Sequence, residues 1–158
     1  MISCSARACF GFVGPFVLAT IATAQERQIQ RSALPQAVER TLSLESQGAA
    51  IHGITVEKSH GKMYYEAELR VDGHSKDILM NADGLVVEVE EEVAMDSLPA
   101  AVNDELRARA KNGKVVKVEA ISKKDKLVAY EAQIMMDGKT SEVQVRPDGK
   151  AIVHEHYE

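Results

Sequence analysis

The chain has 158 residues, 24 of them acidic and 19 basic, a net charge of −5 and no tryptophan. That balance disfavours nucleic acid and anionic lipid surfaces as partners, since both are held largely through Lys and Arg. Both cysteines (Cys4, Cys9) and all three phenylalanines (Phe10, Phe12, Phe16) fall in the first 16 residues.

Residues 1–24 read as a secretory signal peptide. Arg7 is their only charge, a mostly apolar run follows from Ala8 to Ala22, and Ala22-Thr23-Ala24 gives a small-x-small cleavage pattern before the polar Gln25. Gly11, Gly14 and Pro15 interrupt the run, which falls short of the about 20 apolar residues of a spanning helix. Cleavage after Ala24 predicts a periplasmic or secreted chain of 134 residues with net charge −6 and neither Cys nor Phe. Disulfides, thiolate zinc sites and cysteine nucleophiles are then excluded. The core must be aliphatic, with Tyr65 and Tyr130 as its largest pieces. No later segment is apolar enough to span a membrane.

After an extension at 25–33, a first unit covers 34–92. Leu34-Pro35-Gln36-Ala37-Val38 opens it, and Leu34, Val38 and Leu42 recur at the spacing of one helical stripe. Proline suits the first turn, where its missing N–H costs nothing, and Gly48 ends the helix. The period then changes to two. Tyr65, Ala67, Leu69 and Val71 alternate with Tyr64, Glu66, Glu68 and Arg70, which predicts antiparallel strands with one wet face. Asp72-Gly73 and Asp83-Gly84 are hairpin signals. Strands are expected near 54–58, 63–71, 76–80 and 85–90.

A linker at 93–97 leads to a second unit at 98–158 that repeats the pattern. Leu98-Pro99-Ala100-Ala101-Val102 opens a helix with Leu106 and Ala110 on the same stripe, stopped at Asn112-Gly113. Tyr130, Ala132, Ile134 and Met136 are expected to face inward, and Glu131 and Gln133 outward. Asp137-Gly138 and Asp148-Gly149 mark the turns. Strands are expected near 115–121, 127–136, 142–145 and 151–155. The expected fold is therefore α+β: two tandem repeats, each one helix packed on a four-stranded antiparallel sheet. About 60 residues with a small aliphatic core is marginal alone, so the units should pack together or share sheet edges.

Leu-Pro-x-Ala-Val opening a helix, Tyr-Glu-Ala in a strand, a glycine hairpin and a closing Asp-Gly strand resemble the PepSY-like family, described as β-lactamase-inhibitor-protein-like. The likeness covers 34–158 as two units. It implies a secreted or periplasmic protein with a helix on a four-stranded sheet per repeat. Related PepSY domains occur in protease propeptides, where inhibition is the proposed role.

The outward residues Tyr64, Glu66, Glu68, Glu131 and Gln133 are the candidate binding residues, forming one continuous polar surface if the two sheets join. Tight interfaces lean on aromatic and Arg anchors, and the cleaved chain has no Trp or Phe with only Tyr64 and Tyr157 reading as outward, so weak or polar recognition of a protein or peptide is expected. Glu88, Glu90, Glu91 and Glu92 read as a solvated strand edge and linker that could also attract a cationic ligand. An alternative places a metal on His154 and His156, which share a face of the last strand. Asn81-Ala82-Asp83-Gly84 brushes a calcium-loop pattern, but Leu79 stands where the first Asp is required, so a hairpin is expected. No G-x-S-x-G, H-E-x-x-H or phosphate loop is present. The reading is a non-enzymatic binding module without a cofactor.

Overall fold

The structure, a computed structural model, describes residues 26–152. The expected signal peptide and the His154–His156 pair lie outside the described residues.

Among the described residues two α-helices each precede a block of four strands, as the hydrophobic periods predict, and a further short strand comes first. β1 is Arg27–Gln28, followed by α1 (Gln36–Glu45), β2 (Ala50–Ser59), β3 (Lys62–Val71), β4 (His74–Asn81) and β5 (Val86–Glu92). Then come α2 (Ala100–Ala110), β6 (Lys114–Lys123), β7 (Lys126–Met136), β8 (Lys139–Val145) and β9 (Ala151–Ile152). Pro35 and Pro99 stand just before the helices with φ of −56° and −54°, fixing the entry angle of each chain segment.

The strands do not form two separate four-stranded sheets. They make one antiparallel sheet of nine, ordered as in the chain. The join is β5 on β6, with Val89 opposite Ser122 and Glu92 opposite Glu119. Unpaired edges leave N–H and C=O groups open to aggregation, and fusing the two edges removes that liability for β5 and β6. β5 is thus a central strand, which corrects the reading of Glu88–Glu92 as a solvated edge. β1 was not foreseen. Its two residues pair with Val56 and Thr55 and cover part of the outer edge of β2, and so short a segment carries no readable period.

Both helices lie on one face of the sheet. Val38 and Leu42 pack on Ile54, Ala67, Leu69, Ile78 and Met80, with Tyr65 half-buried beside them. Val102 and Leu106 pack on Val118, Ala132 and Val145, with Tyr130 in the matching place. Leu106 is fully buried, so Leu106→Ala is expected to cost about 2–5 kcal/mol. Urea unfolding should show this as a lower midpoint with an unchanged slope. Met136 departs from its expected inward position and is 48% exposed. It sits at the hairpin end of β7, opposite Lys139 and beyond the apolar cluster under α2.

The four Asp-Gly pairs divide into two kinds. Asp72-Gly73 and Asp137-Gly138 have positive φ at both residues, as the two-residue turns matched to strand twist require. At Asp83-Gly84 and Asp148-Gly149 only the glycine does, and these turns press against the helices. A Cβ on Gly84 would lie 2.5 Å from the Ala37 carbonyl oxygen, and one on Gly149 would lie 2.7 Å from Ala101 Cβ. The Thr41 hydroxyl donates to the Gly84 carbonyl at 2.7 Å. The asparagine of the calcium-like stretch serves the same turn, with Asn81 Oδ1 accepting from the Asp83 and Leu85 amides.

Candidate functional site

Because side chains alternate along a strand and both helices cover one face, every second residue is delivered to a helix-free face. Strand pairing sets carboxyl groups there directly opposite one another. One row runs Glu68, Asp77, Glu90 across β3, β4 and β5. A second runs Glu92, Glu119, Glu131 and Gln144 across β5 to β8. A third runs Thr55, Glu66, Leu79 and Glu88 across β2 to β5. Like charges directly opposite each other destabilise a sheet, so this arrangement works against folding.

The face is also drier than expected. Glu119 is 4% exposed, Glu131 7% and Glu88 8%, and the apolar Ile121 and Ala129 are buried on the same side. Cations are few. Lys117 pairs with Glu119, Lys123 with Glu88 at 3.0 Å, and Arg70 reaches Glu92 at 4.0 Å. The Ser75 amide donates to Glu92 Oε2 at 3.0 Å, and its hydroxyl lies between Glu92 and Glu119. Gln144 Nε2 donates to Glu131 Oε2 at 2.7 Å, while its Oε1 is buried without a hydrogen-bond partner.

Four carboxyls of this face are raised. Burial, reinforced by Glu131 and Glu88, pushes Glu90 up to about 9. Burial and then Asp77 push Glu66 up to about 7. Burial and then Glu119 push Asp77 up to about 6. Burial also raises Glu131, against the hydrogen bond from Gln144. Near neutral pH the centre of the face is a partly protonated set that can donate as well as accept, and can exchange protons for an arriving cation.

Asp77, Glu90 and Glu119 each offer an oxygen within 4.8 Å of the others. Three oxygens fall short of the six to eight that calcium takes, and Lys117 already engages Glu119. The cluster by itself does not define a metal centre.

All five candidate binding residues lie on this face. Tyr64, Glu66 and Glu68 come from β3, and Glu131 and Gln133 from β7. The structure does not bring them together: β4, β5 and β6 lie between the two groups. Asp77, Glu88, Glu90 and Glu119 fill that gap; Asp77 and Glu119 are absent from the candidate residues, and Glu88 and Glu90 read in sequence only as part of an acidic run that could attract a cationic ligand. Alternation within 74–81 and 114–123 places Asp77 and Glu119 on a polar face, but only the β5–β6 join makes them central.

The fold and this face define a helix-backed antiparallel sheet protein presenting a buried, partly protonated acidic surface. No protein-family model matches the chain, and no curated protein matches it in sequence. Solved structures do match. A candidate periplasmic protein from Bacteroides eggerthii is 20% identical with a TM-score of 0.62, over 76% of this chain and 86% of that one. A DUF2874 family protein from Bacteroides ovatus is 19% identical at 0.59, over 77% and 86%. A BLIP-like protein from Bacteroides fragilis is 21% identical at 0.56, over 77% and 85%. These likenesses show the fold, a BLIP-like arrangement. Among the described residues no helix is long and apolar enough to cross a membrane.

Proposed function

We propose that this chain is an exported, non-enzymatic binding module that uses the helix-free sheet face to recognise a cationic segment of a protein or peptide, with inhibition as one form of that role. The observation that carries the reading is the set of opposed carboxyls at the sheet centre, which a cationic partner would relieve. A fold that tolerates such repulsion gains nothing in stability from it, and local costs of this kind concentrate at functional sites. The signal-peptide pattern of residues 1–24 and the description of a fold neighbour as candidate periplasmic support a periplasmic location. The recurring Leu-Pro-x-Ala-Val and Tyr-Glu-Ala segments support descent from two PepSY-like repeats that now share one sheet. The metal-binding alternative rests on His154 and His156.

The test uses a Lys/Arg-rich peptide and calorimetry. Glu66→Gln with Glu131→Gln should weaken binding about tenfold, as for loss of charge-assisted contacts. Asp104→Asn with Glu105→Gln, which removes at least as much charge from α2, should leave it unchanged. Equal weakening by both pairs would reduce the interaction to net charge and remove the face from the account.

A further inference from the structure

At the far end of α2 the chain presents the opposite charge. A cleft of 390 Å³ opens there, with Met95, Ala110 and Val115 as its apolar wall and Arg107, Lys111 and Lys114 as its cations. Its volume lies within the range of small-ligand pockets. Among the described residues none of the three cations forms an ion pair with a carboxylate, in a protein that is acidic overall. Arg107 Nε donates to Asn103 Oδ1 at 2.6 Å, which orients the guanidinium and leaves its terminal nitrogens uncommitted.

Two comparisons within the molecule set this cleft apart from an ordinary helix end. Basic residues commonly gather at helix C-termini because the dipole favours them there. The end of α1, however, has no basic residue in its last turn. The two helix-to-strand connections align closely, with matching irregularities between Ile51 and Gly53 and between Val115 and Lys117. At the places of Arg107, Lys111 and Lys114 the first connection carries Ser43, Gln47 and Ala50. Its nearby Arg31 is already bound to Glu39 and Ser43.

The backbone at the two helix ends differs as well. α1 is followed by Gly48 at φ 79°, a residue free to adopt that angle. α2 ends on Lys111 at φ 50°, ψ −110°, the mirror image of an extended conformation. Glycine enters that region freely, whereas a side chain there carries a cost. A lysine held at such a position lines the cleft at the expense of local stability.

We propose that this cleft binds a phosphomonoester, its dianionic head held by Arg107, Lys111 and Lys114 and its organic arm lying on Met95, Ala110 and Val115. Three cations suit a dianion better than a single carboxylate, and arginine recognises phosphate through paired N–H donors. The site is separate from the acidic sheet face and stands or falls independently of it.

Amide shifts of the chain from Gln25 onward, titrated with inorganic phosphate, hexyl phosphate and hexanoate, test this. Saturable shifts at Lys111–Val115 are expected, with hexyl phosphate tightest and hexanoate weakest. Lys111→Gly should weaken hexyl phosphate about tenfold while leaving the unfolding temperature equal or higher. Arg107→Gln with Lys114→Gln should abolish saturation. Absence of saturable shifts with any probe up to about 10 mM, a range that covers millimolar affinities, overturns the proposal. So does hexanoate binding as tightly as hexyl phosphate, or Lys111→Gly binding like the parent chain.

Discussion

The unfolding temperature is expected to fall as pH rises from 5 to 8. Glu90, Glu66 and Asp77 are raised to about 9, 7 and 6 in the folded protein, from 4.5, 4.5 and 3.8. The folded state therefore holds protons that the unfolded chain has released, and stability declines as pH climbs between each ordinary value and its raised one. Each pH unit crossed costs about 1.4 kcal/mol per group. Neighbouring carboxyls share that burden, so the combined loss from pH 5 to 8 is roughly 4 kcal/mol. Below pH 5 the sign reverses. Glu39 and Glu92 are held low, chiefly by hydrogen bonds from Arg31 and from the Ser75 amide, and their contribution is lost as pH falls. Glu90→Gln removes the largest titration while keeping the side chain's size. Its unfolding curve should be nearly unchanged at pH 5 and shifted to higher temperature at pH 8. A parent curve that is flat or rising over this range, or a Gln variant with the parent's slope, would remove the protonated face. The same chemistry predicts that cation binding near neutral pH releases protons, which links the stability measurement to the proposed role.

Gly84→Ala is expected to cost roughly 2–5 kcal/mol, adding left-handed backbone strain to the crowding of a packed contact. The added Cβ would meet the Ala37 carbonyl at 2.5 Å for oxygen and 2.7 Å for carbon. Those are backbone atoms of the first turn of α1, so no side-chain rotation relieves the clash. Gly138→Ala provides the contrast, because Gly138 has a similar φ of 74° with nothing within 4 Å of the added atom. It should lose only about 1 kcal/mol. Equal urea midpoints for the two variants would show that the turn does not bear on the helix. The position also bears on the face, since the turn at Gly84 leads directly into the strand that carries Glu88 and Glu90.

The periods of Leu34–Val38–Leu42 and of Tyr65–Ala67–Leu69 were readable because helix and strand geometry acts within a few residues. They locate both helices, eight of the nine strands and the side of β3 and β7 that carries Tyr64, Glu66, Glu68, Glu131 and Gln133. Local alternation could not distinguish a wet face from a buried one. Glu131 and Ala132 alternate as an exposed and a core residue would, yet both are buried. Burial of Glu131 depends on Glu119 and Gln144 standing beside it, from the strands on either side of β7. The Asp-Gly pairs show the same limit. All four announce a turn, but only the packed helices distinguish Gly84 and Gly149 from Gly73 and Gly138.

By itself the sequence determined the two helices, eight of the nine strands in their order, the two apolar stripes and the parity of β3 and β7, since these follow from backbone sterics and the spacing of apolar side chains. The tertiary structure alone decided that β5 joins β6. That pairing is a contact between edges whose sequences carry no mutual signal, and it turns an apparent surface run of glutamates into the centre of a sheet. It also raises the carboxyl pKa values, because desolvation and charge repulsion depend on distance in space and not along the chain.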